Sequence, residues 1–118
     1  MKKFLLVLIL MLIPNVCFAK HSNPEKYYQR IWCNANHGTM EYVLKDGARV
    51  DCLTKDYAIE FDFAPKWAES IGQALYYGIS TNRQPGVVLI MGKNSTKYLK
   101  RLNTVASKHE IVVWTVRE

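Results

Sequence analysis

Between Thr39 and Phe63 the sequence alternates in three successive runs, and this stretch constrains the fold more than any other. Thr39–Leu44 (TMEYVL), Arg49–Thr54 (RVDCLT) and Tyr57–Phe63 (YAIEFDF) each interleave apolar and polar residues, as half-buried strands do. Lys45-Asp46-Gly47 and Lys55-Asp56, which separate them, are turn chemistry, so the three runs read as an antiparallel meander. Ahead of it, Tyr27, Tyr28, Ile31 and Trp32 recur at helical spacing, from Pro24 with Asn23 as N-cap to about Ala35. Behind it, Pro65 opens a helix to about Thr81, with Trp67, Ala68, Ile71, Ala74, Leu75 and Gly78 as its apolar stripe. Asn82–Pro85 reads as a loop and Gly86–Met91 (GVVLIM) as a strand buried on both faces. Asn94–Ser107 reads as a basic helix and Ile111–Val116 as a last strand. The order α-β-β-β-α-β-α-β predicts an α/β fold: an αβββαβ core followed by an extra αβ unit, with helices covering a mixed sheet.

The N-terminus belongs to a different category. Met1–Lys3 is basic, Phe4–Ile13 is an unbroken apolar run, and Cys17-Phe18-Ala19 places small residues for a cut after Ala19. This is the pattern of a secretory signal peptide over residues 1–19, leaving a single domain over 20–118. The run is shorter than the ~20 apolar residues of a membrane span; an uncleaved anchor is the alternative reading. Export predicts a periplasmic or secreted protein in an oxidising compartment, where Cys33 and Cys52 remain. Cys52 lies on the core face of its strand, toward the first helix, so a Cys33–Cys52 disulfide is expected; two buried free thiols are the alternative.

Composition narrows the chemistry. Three Cys and three His exclude a four-cysteine zinc site and a dense disulfide scaffold. No GxxxxGK(S/T), GxGxxG or GxSxG occurs, so P-loop, dinucleotide-fold and serine-hydrolase readings have no foothold. The formal charge of +6 includes Lys2 and Lys3; without them 14 basic face 10 acidic residues, or +4.

The acidic residues are the more informative set. With Lys55-Asp56 as a two-residue loop, Asp51 lies opposite Glu60, and Arg49 opposite Asp62. Directly opposed Cβ atoms are about 5 Å apart. Asp51, Glu60 and Asp62 therefore share one face, while Val50, Cys52, Ile59 and Phe61 share the other, a core face. The first hairpin has two readings. A two-residue Asp46-Gly47 loop turns Glu41 away. A three-residue loop with Gly47 in the left-handed bulge position sets Glu41 opposite Asp51 and puts Tyr42 and Leu44 on the core face, and the alternation favours it. Like charges so placed destabilise a sheet and require a cation, which Arg49 or a hard metal ion, Mg²⁺ or Mn²⁺, would supply. On the following helix Lys66, Ser70, Gln73 and Tyr77 line one polar face, with Lys66 near the point where Asp62 leaves the sheet.

These residues resemble the PD-(D/E)xK, or restriction-endonuclease-like, nuclease superfamily. Asp51 in RVDCLT and Glu60 in IEFDF match its second- and third-strand acids, and Glu41 stands where a first acid often lies. Gln73 and Tyr77 in QALYY resemble the Q-xxx-Y helix motif of the RecB-like branch. The family's Lys two residues after the third-strand acid is Asp62 here; Lys66 is placed for a Lys displaced to the neighbouring helix. The resemblance implies metal-dependent hydrolysis of DNA or RNA. Asp51 and Glu60 would hold Mg²⁺ or Mn²⁺, Glu41 and Asp62 would assist, Lys66 and Gln73 would position water or phosphate, and Tyr77 would support them.

Each feature has a plainer counterpart. Asp51 and Glu60 could form a surface patch paired with Arg49 and Lys66. Tyr42, Trp67 and Trp114 read as core aromatics. Lys93, Lys97, Lys100, Arg101 and Lys108 either contact nucleic-acid phosphates or form a solvated helix face. His37 and His109 lack partner ligands at metal spacing. A degenerate nuclease fold that binds without cutting, and a small exported protein-binding module, are the competing functions.

Overall fold

The computed structural model describes His21 and residues 23–118; the apolar run and the cut expected after Ala19 lie outside the described residues. The chain runs α1 (Glu25–Ala35), β1 (Thr39–Val43), β2 (Arg49–Leu53), β3 (Tyr57–Phe63), α2 (Trp67–Thr81), β4 (Gln84–Met91), α3 (Thr96–Ala106) and β5 (Val112–Arg117). A 3-10 turn, Ala64–Lys66, joins β3 to α2, and Pro65 sits in that turn rather than in the helix. The five strands form one sheet in the order β1-β2-β3-β4-β5. β1, β2 and β3 are antiparallel, and β3, β4 and β5 are parallel. This is the mixed α/β sheet that the element order predicts. No described helix is long and apolar enough to cross a membrane.

The turns set the registers. Gly47 takes φ 90°, its N–H donates to the Leu44 carbonyl at 3.0 Å, and the Leu44 N–H donates to the Ala48 carbonyl at 2.7 Å. The three-residue loop therefore holds, and Met40 pairs with Cys52 and Tyr42 with Val50. In the second hairpin the Thr54 N–H donates to the Tyr57 carbonyl at 2.9 Å, and Cys52 pairs with Ile59.

Two cores sandwich the sheet. Val87 and Leu89 of β4 meet Ala74, Leu102 and Ala106 of α2 and α3. Val88, between them, turns to the opposite face with Phe61, Ile59, Trp32 and Trp114 beneath α1. β4 is thus buried on both sides, as its continuous apolar run predicts. The Cys33–Cys52 disulfide ties α1 to β2, with Cα atoms 5.8 Å apart. A Cβ on Gly38 would lie 2.4 Å from one of its sulfurs and 2.6 Å from the other, so the chain leaves α1 at a position only glycine can fill.

Several details differ from expectation. Gln84 and Pro85 belong to β4, not to a loop. Pro85 is tolerated because the neighbouring Gln84 N–H makes the entry bond, to the Asp56 carbonyl at 3.1 Å, and pairing with β5 starts only at Gly86. Asn23 does not cap α1; Pro24 occupies the cap without a side-chain hydrogen bond. Ala68 is exposed, and Ser70, expected on the polar face, is fully buried with its hydroxyl donating to the Trp67 carbonyl at 2.6 Å. Tyr42 is no core aromatic: 44% of it is exposed. Val50 packs with Leu53, Ala58 and Tyr77 on the α2 side, not with Cys52 and Phe61. The cause of that last difference lies at Asp51.

Candidate functional site

At Asp51 the β2–β3 ladder gives way. The backbone pairs Leu53 with Ala58 and Cys52 with Ile59, but the next donor, the Phe61 N–H, goes to the Asp51 carboxylate at 2.8 Å. Asp51 thus puts its side chain where a strand carbonyl would stand, and its own carbonyl turns to α1. There it accepts from Gln29 Nε2 at 2.6 Å. Gln29, 1% exposed, also donates to Glu41 Oε1 at 3.2 Å. Glu41 has φ 52°, a left-handed conformation in mid-strand. For a non-glycine residue this costs on the order of 1–3 kcal/mol and persists only when its surroundings impose it. Here the Gln29 amide on one side and Arg49, 3.7 Å away, on the other fix the carboxylate.

β3 supplies the centre of the cluster. Glu60 and Asp62, two apart, project to one face with 4% and 6% of their surface exposed. Glu60 lies in contact with both Asp51 and Asp62, and the single acid proton it carries can bridge to only one of them at a time. From α2, the Gln73 amide turns its nitrogen to Glu60 and donates to both carboxylate oxygens, 3.2 Å to Oε2. Tyr77, one turn on, is buried beside the same group.

So much buried acid cannot be fully ionised. Burial, then the Asp51 charge and the hydrogen bond to Asp51, push the Glu60 carboxyl up to about 11. Burial, then Asp51, raise Asp62 to about 7, against the pull of Lys66. Burial raises Asp51, while the Phe61 N–H and Glu60 pull it back. The contact with Glu60 favours the ionised form of Asp51 and Asp62, so the proton resides on Glu60. Burial and then the surrounding carboxylates push the Tyr77 phenol up, so it remains a hydrogen-bond donor. Asp62 Oδ2 is buried with no hydrogen-bond partner. Among the described residues no ion pair reaches Asp51, Glu60 or Asp62; the cluster's one pair is Arg49 with Glu41.

Comparison with family models, curated proteins and solved structures finds no match to this chain. The chemistry of the site rests on its own residues.

Glu41, Asp51, Glu60, Asp62, Gln73 and Tyr77 meet at this end of the sheet. Lys66, on the exposed turn after β3, is near enough to stabilise the Glu25 and Asp62 carboxylates. Lys93, Lys97, Lys100 and Arg101 stand apart, exposed on α3 and the loop before it; Lys97 and Arg101 flank the Tyr98 ring at 4.9 and 5.8 Å. Two members escape the sequence reading: Gln29, and Glu25, whose carboxyl burial and then Asp51 and Asp62 push up to about 7. The available signal was their spacing of four, a polar pair on one face of α1.

Among the described residues no group of three or more His, Cys, Asp or Glu is disposed as a ready metal cage. The donors fit a different arrangement. They are all oxygen, Glu60 and Asp62 are buried together beside the half-buried Asp51, and one lone-pair-bearing atom, Asp62 Oδ2, is orphaned. Magnesium-type sites use one or two carboxylates and complete the shell with water and substrate oxygens.

Proposed function

We propose that this chain is an exported, metal-dependent phosphodiesterase of nuclease type, hydrolysing DNA or RNA. One observation carries the reading: Glu60 and Asp62 are buried against the half-buried Asp51, none of the three has an ion-pair partner among the described residues, and Asp62 keeps an unsatisfied oxygen. A divalent cation is what such a set lacks. Asp51 and Glu60 would hold Mg²⁺ or Mn²⁺, with Asp62 Oδ2 beside them. When bound, the ion would acidify a water ligand and neutralise phosphate charge. Gln73 holds the Glu60 carboxyl in place and, through it, the spacing to Asp51. Glu25, at about 7, is matched to exchange a proton with an attacking water near neutral pH. Lys66, close enough to stabilise the Asp62 carboxylate, would pair with a phosphate oxygen, and Glu41 is kept at the rim by Gln29 and Arg49. The element order and the Gln73/Tyr77 pair support the likeness to PD-(D/E)xK nucleases.

The test is direct. With Mg²⁺ or Mn²⁺ the mature protein should degrade single- or double-stranded DNA or RNA, and Asp51→Ala or Glu60→Ala should abolish it. Activity that survives both substitutions refutes the reading. A second reading, a catalytically inert relative that binds without cutting, is favoured by Asp62 at the motif Lys position and by the absence of an ion pair between Lys66 and the cluster. Nucleic-acid binding without metal-dependent turnover selects it.

A further inference from the structure

We infer that the groove between the β1–β2 hairpin and the C-terminal half of α2 is a track for single-stranded nucleic acid, with Tyr42 and Tyr76 as its base-stacking platforms. The choice of occupant rests on the phosphodiesterase reading; the groove itself stands on separate residues. It encloses about 520 Å³ between Tyr42, Val43 and Lys45 on one wall and Tyr76 and Arg83 on the other, with Leu53 also in its lining. Tyr42 is 44% exposed and Tyr76 43%, both more open than a folded core requires. Tyr76 is not free to collapse inward, because its phenol donates to the Asp46 carboxylate. The Tyr42 side chain has no ring, hydrogen-bond or ion-pair partner among the described residues.

The groove also connects to the acid cluster. Leu53 packs with Tyr77 in one apolar cluster, and Tyr77 feels the charge of Glu60 and Asp51. Tyr42 directly follows Glu41 in β1. A strand lying on the two rings would therefore lead toward the carboxylates. Charge selects the occupant. Lys45 and Arg83 face the groove, and Asp46, its single lining carboxylate, is engaged by Tyr76 and by the Ala48 N–H at 3.0 Å. Two cations beside two exposed rings match a phosphate backbone with unpaired bases. A duplex hides the base faces that such rings stack on, so single strands are preferred.

The experiment uses the chain purified after export, in chelator, with fluorescence anisotropy of a short labelled oligo-thymidine, an oligo-uridine and a matched duplex. Single strands should bind more tightly than duplex. Tyr42→Ala and Tyr76→Ala should each weaken single-strand binding roughly five- to 150-fold, the range of one lost base stack, while Tyr42→Phe retains it. Lys45→Ala or Arg83→Ala should each lower the salt slope by about 0.7, the value for one single-strand phosphate contact. Wild-type affinity in both Tyr→Ala variants, or a Tyr42→Phe loss as large as that of Tyr42→Ala, overturns the inference. So does a wild-type chain that binds no oligonucleotide, which would leave the groove to a peptide strand on β1. The two readings fail separately. Tyr42-dependent binding without metal-dependent cleavage keeps the groove and removes the hydrolase. Cleavage abolished by Asp51→Ala, with binding indifferent to Tyr42 and Tyr76, keeps the hydrolase and removes the groove.

Discussion

Replacing Asp62 by asparagine isolates the electrostatic cost of the cluster. Asparagine has nearly the same shape, carries no charge and can donate to a neighbouring carboxylate. In the folded chain Asp62 titrates at about 7 against an ordinary 3.8, chiefly through burial and then the Asp51 charge. Raised this way, the group favours the folded state while protonated. That contribution is whole below pH ~4 and is lost as pH rises through about 7. The gap is about 3 pH units at ~1.4 kcal/mol each, a difference on the order of 4 kcal/mol. With 6% of the residue exposed, solvent screening takes little from it. Glu60, at about 11, stays protonated across this window; Glu25, at about 7, titrates within it in both proteins, so the quantity read is the difference between variant and wild type. Asp62→Asn should match the wild type near pH 4 and exceed it by up to ~4 kcal/mol at pH 8, or roughly 15–30 °C in melting temperature for a domain of this size. Thermal denaturation followed by circular dichroism, in chelator, across pH 4 to 8, reads the difference directly. Curves that run parallel at all pH values, or a variant less stable than the wild type at pH 8, would refute the claim that Asp62 is held against its ionisation.

Three further outcomes follow from the same geometry. Mn²⁺ or Mg²⁺ should raise the wild-type melting temperature more at pH 8 than at pH 4, because binding must displace the Glu60 proton and needs Asp62 ionised, and both grow easier as pH rises; an equal effect at both values refutes cation binding at this cluster. Gln29→Leu leaves the Asp51 carbonyl and the Glu41 carboxylate without their donor, so chemical denaturation should show a loss of ~1–3 kcal/mol; a neutral result would mean that α1 does not hold β2 away from β3. Gly38→Ala puts a methyl group against both disulfide sulfurs. Under non-reducing conditions it should leave Cys33 and Cys52 reactive to a thiol reagent, with a loss of about 3 kcal/mol for the residue separation of 19; a fully oxidised, equally stable variant would contradict the close approach.

The parts of the fold that obey regular pairing were legible in the sequence. Lys45-Asp46-Gly47 sets a bulged loop because only its third residue needs a positive φ, and that one choice aligns Tyr42 with Val50. Lys55-Asp56 aligns Cys52 with Ile59. The buried run Val87–Ile90 follows from its unbroken apolar sequence, and the Cys33–Cys52 bridge from Cys52 lying on the sheet face toward α1. Strict alternation fails from Asp51 backward. Its side chain takes a backbone hydrogen-bonding position, so Val50 rotates to the α2 face and Glu41 adopts a left-handed turn. Those movements depend on Gln29, 22 residues away from Asp51 in the chain, and no local pattern in the strands contains it. Tyr42 escapes for a related reason, since its pairing partner is in register but the strand is an edge on which the residue stays 44% exposed.

Burial separates this cluster from a surface patch. Surface carboxylates are hydrated, pair loosely with lysine or arginine and perturb little. Here Arg49 reaches only Glu41, while Glu60 and Asp62 are almost wholly removed from solvent and have no cation within ion-pair distance among the described residues. The interrupted ladder at Asp51, the strained backbone at Glu41, the protonated Glu60 and the orphaned Asp62 oxygen all fall in one part of a sheet that elsewhere follows ordinary packing rules. Each costs stability, and a domain of this size has little to spare. Independent defects would scatter. Their convergence on one set of oxygen donors is the pattern expected of the cation site proposed above, where a bound ion would replace the Glu60 proton and partner the orphaned Asp62 oxygen.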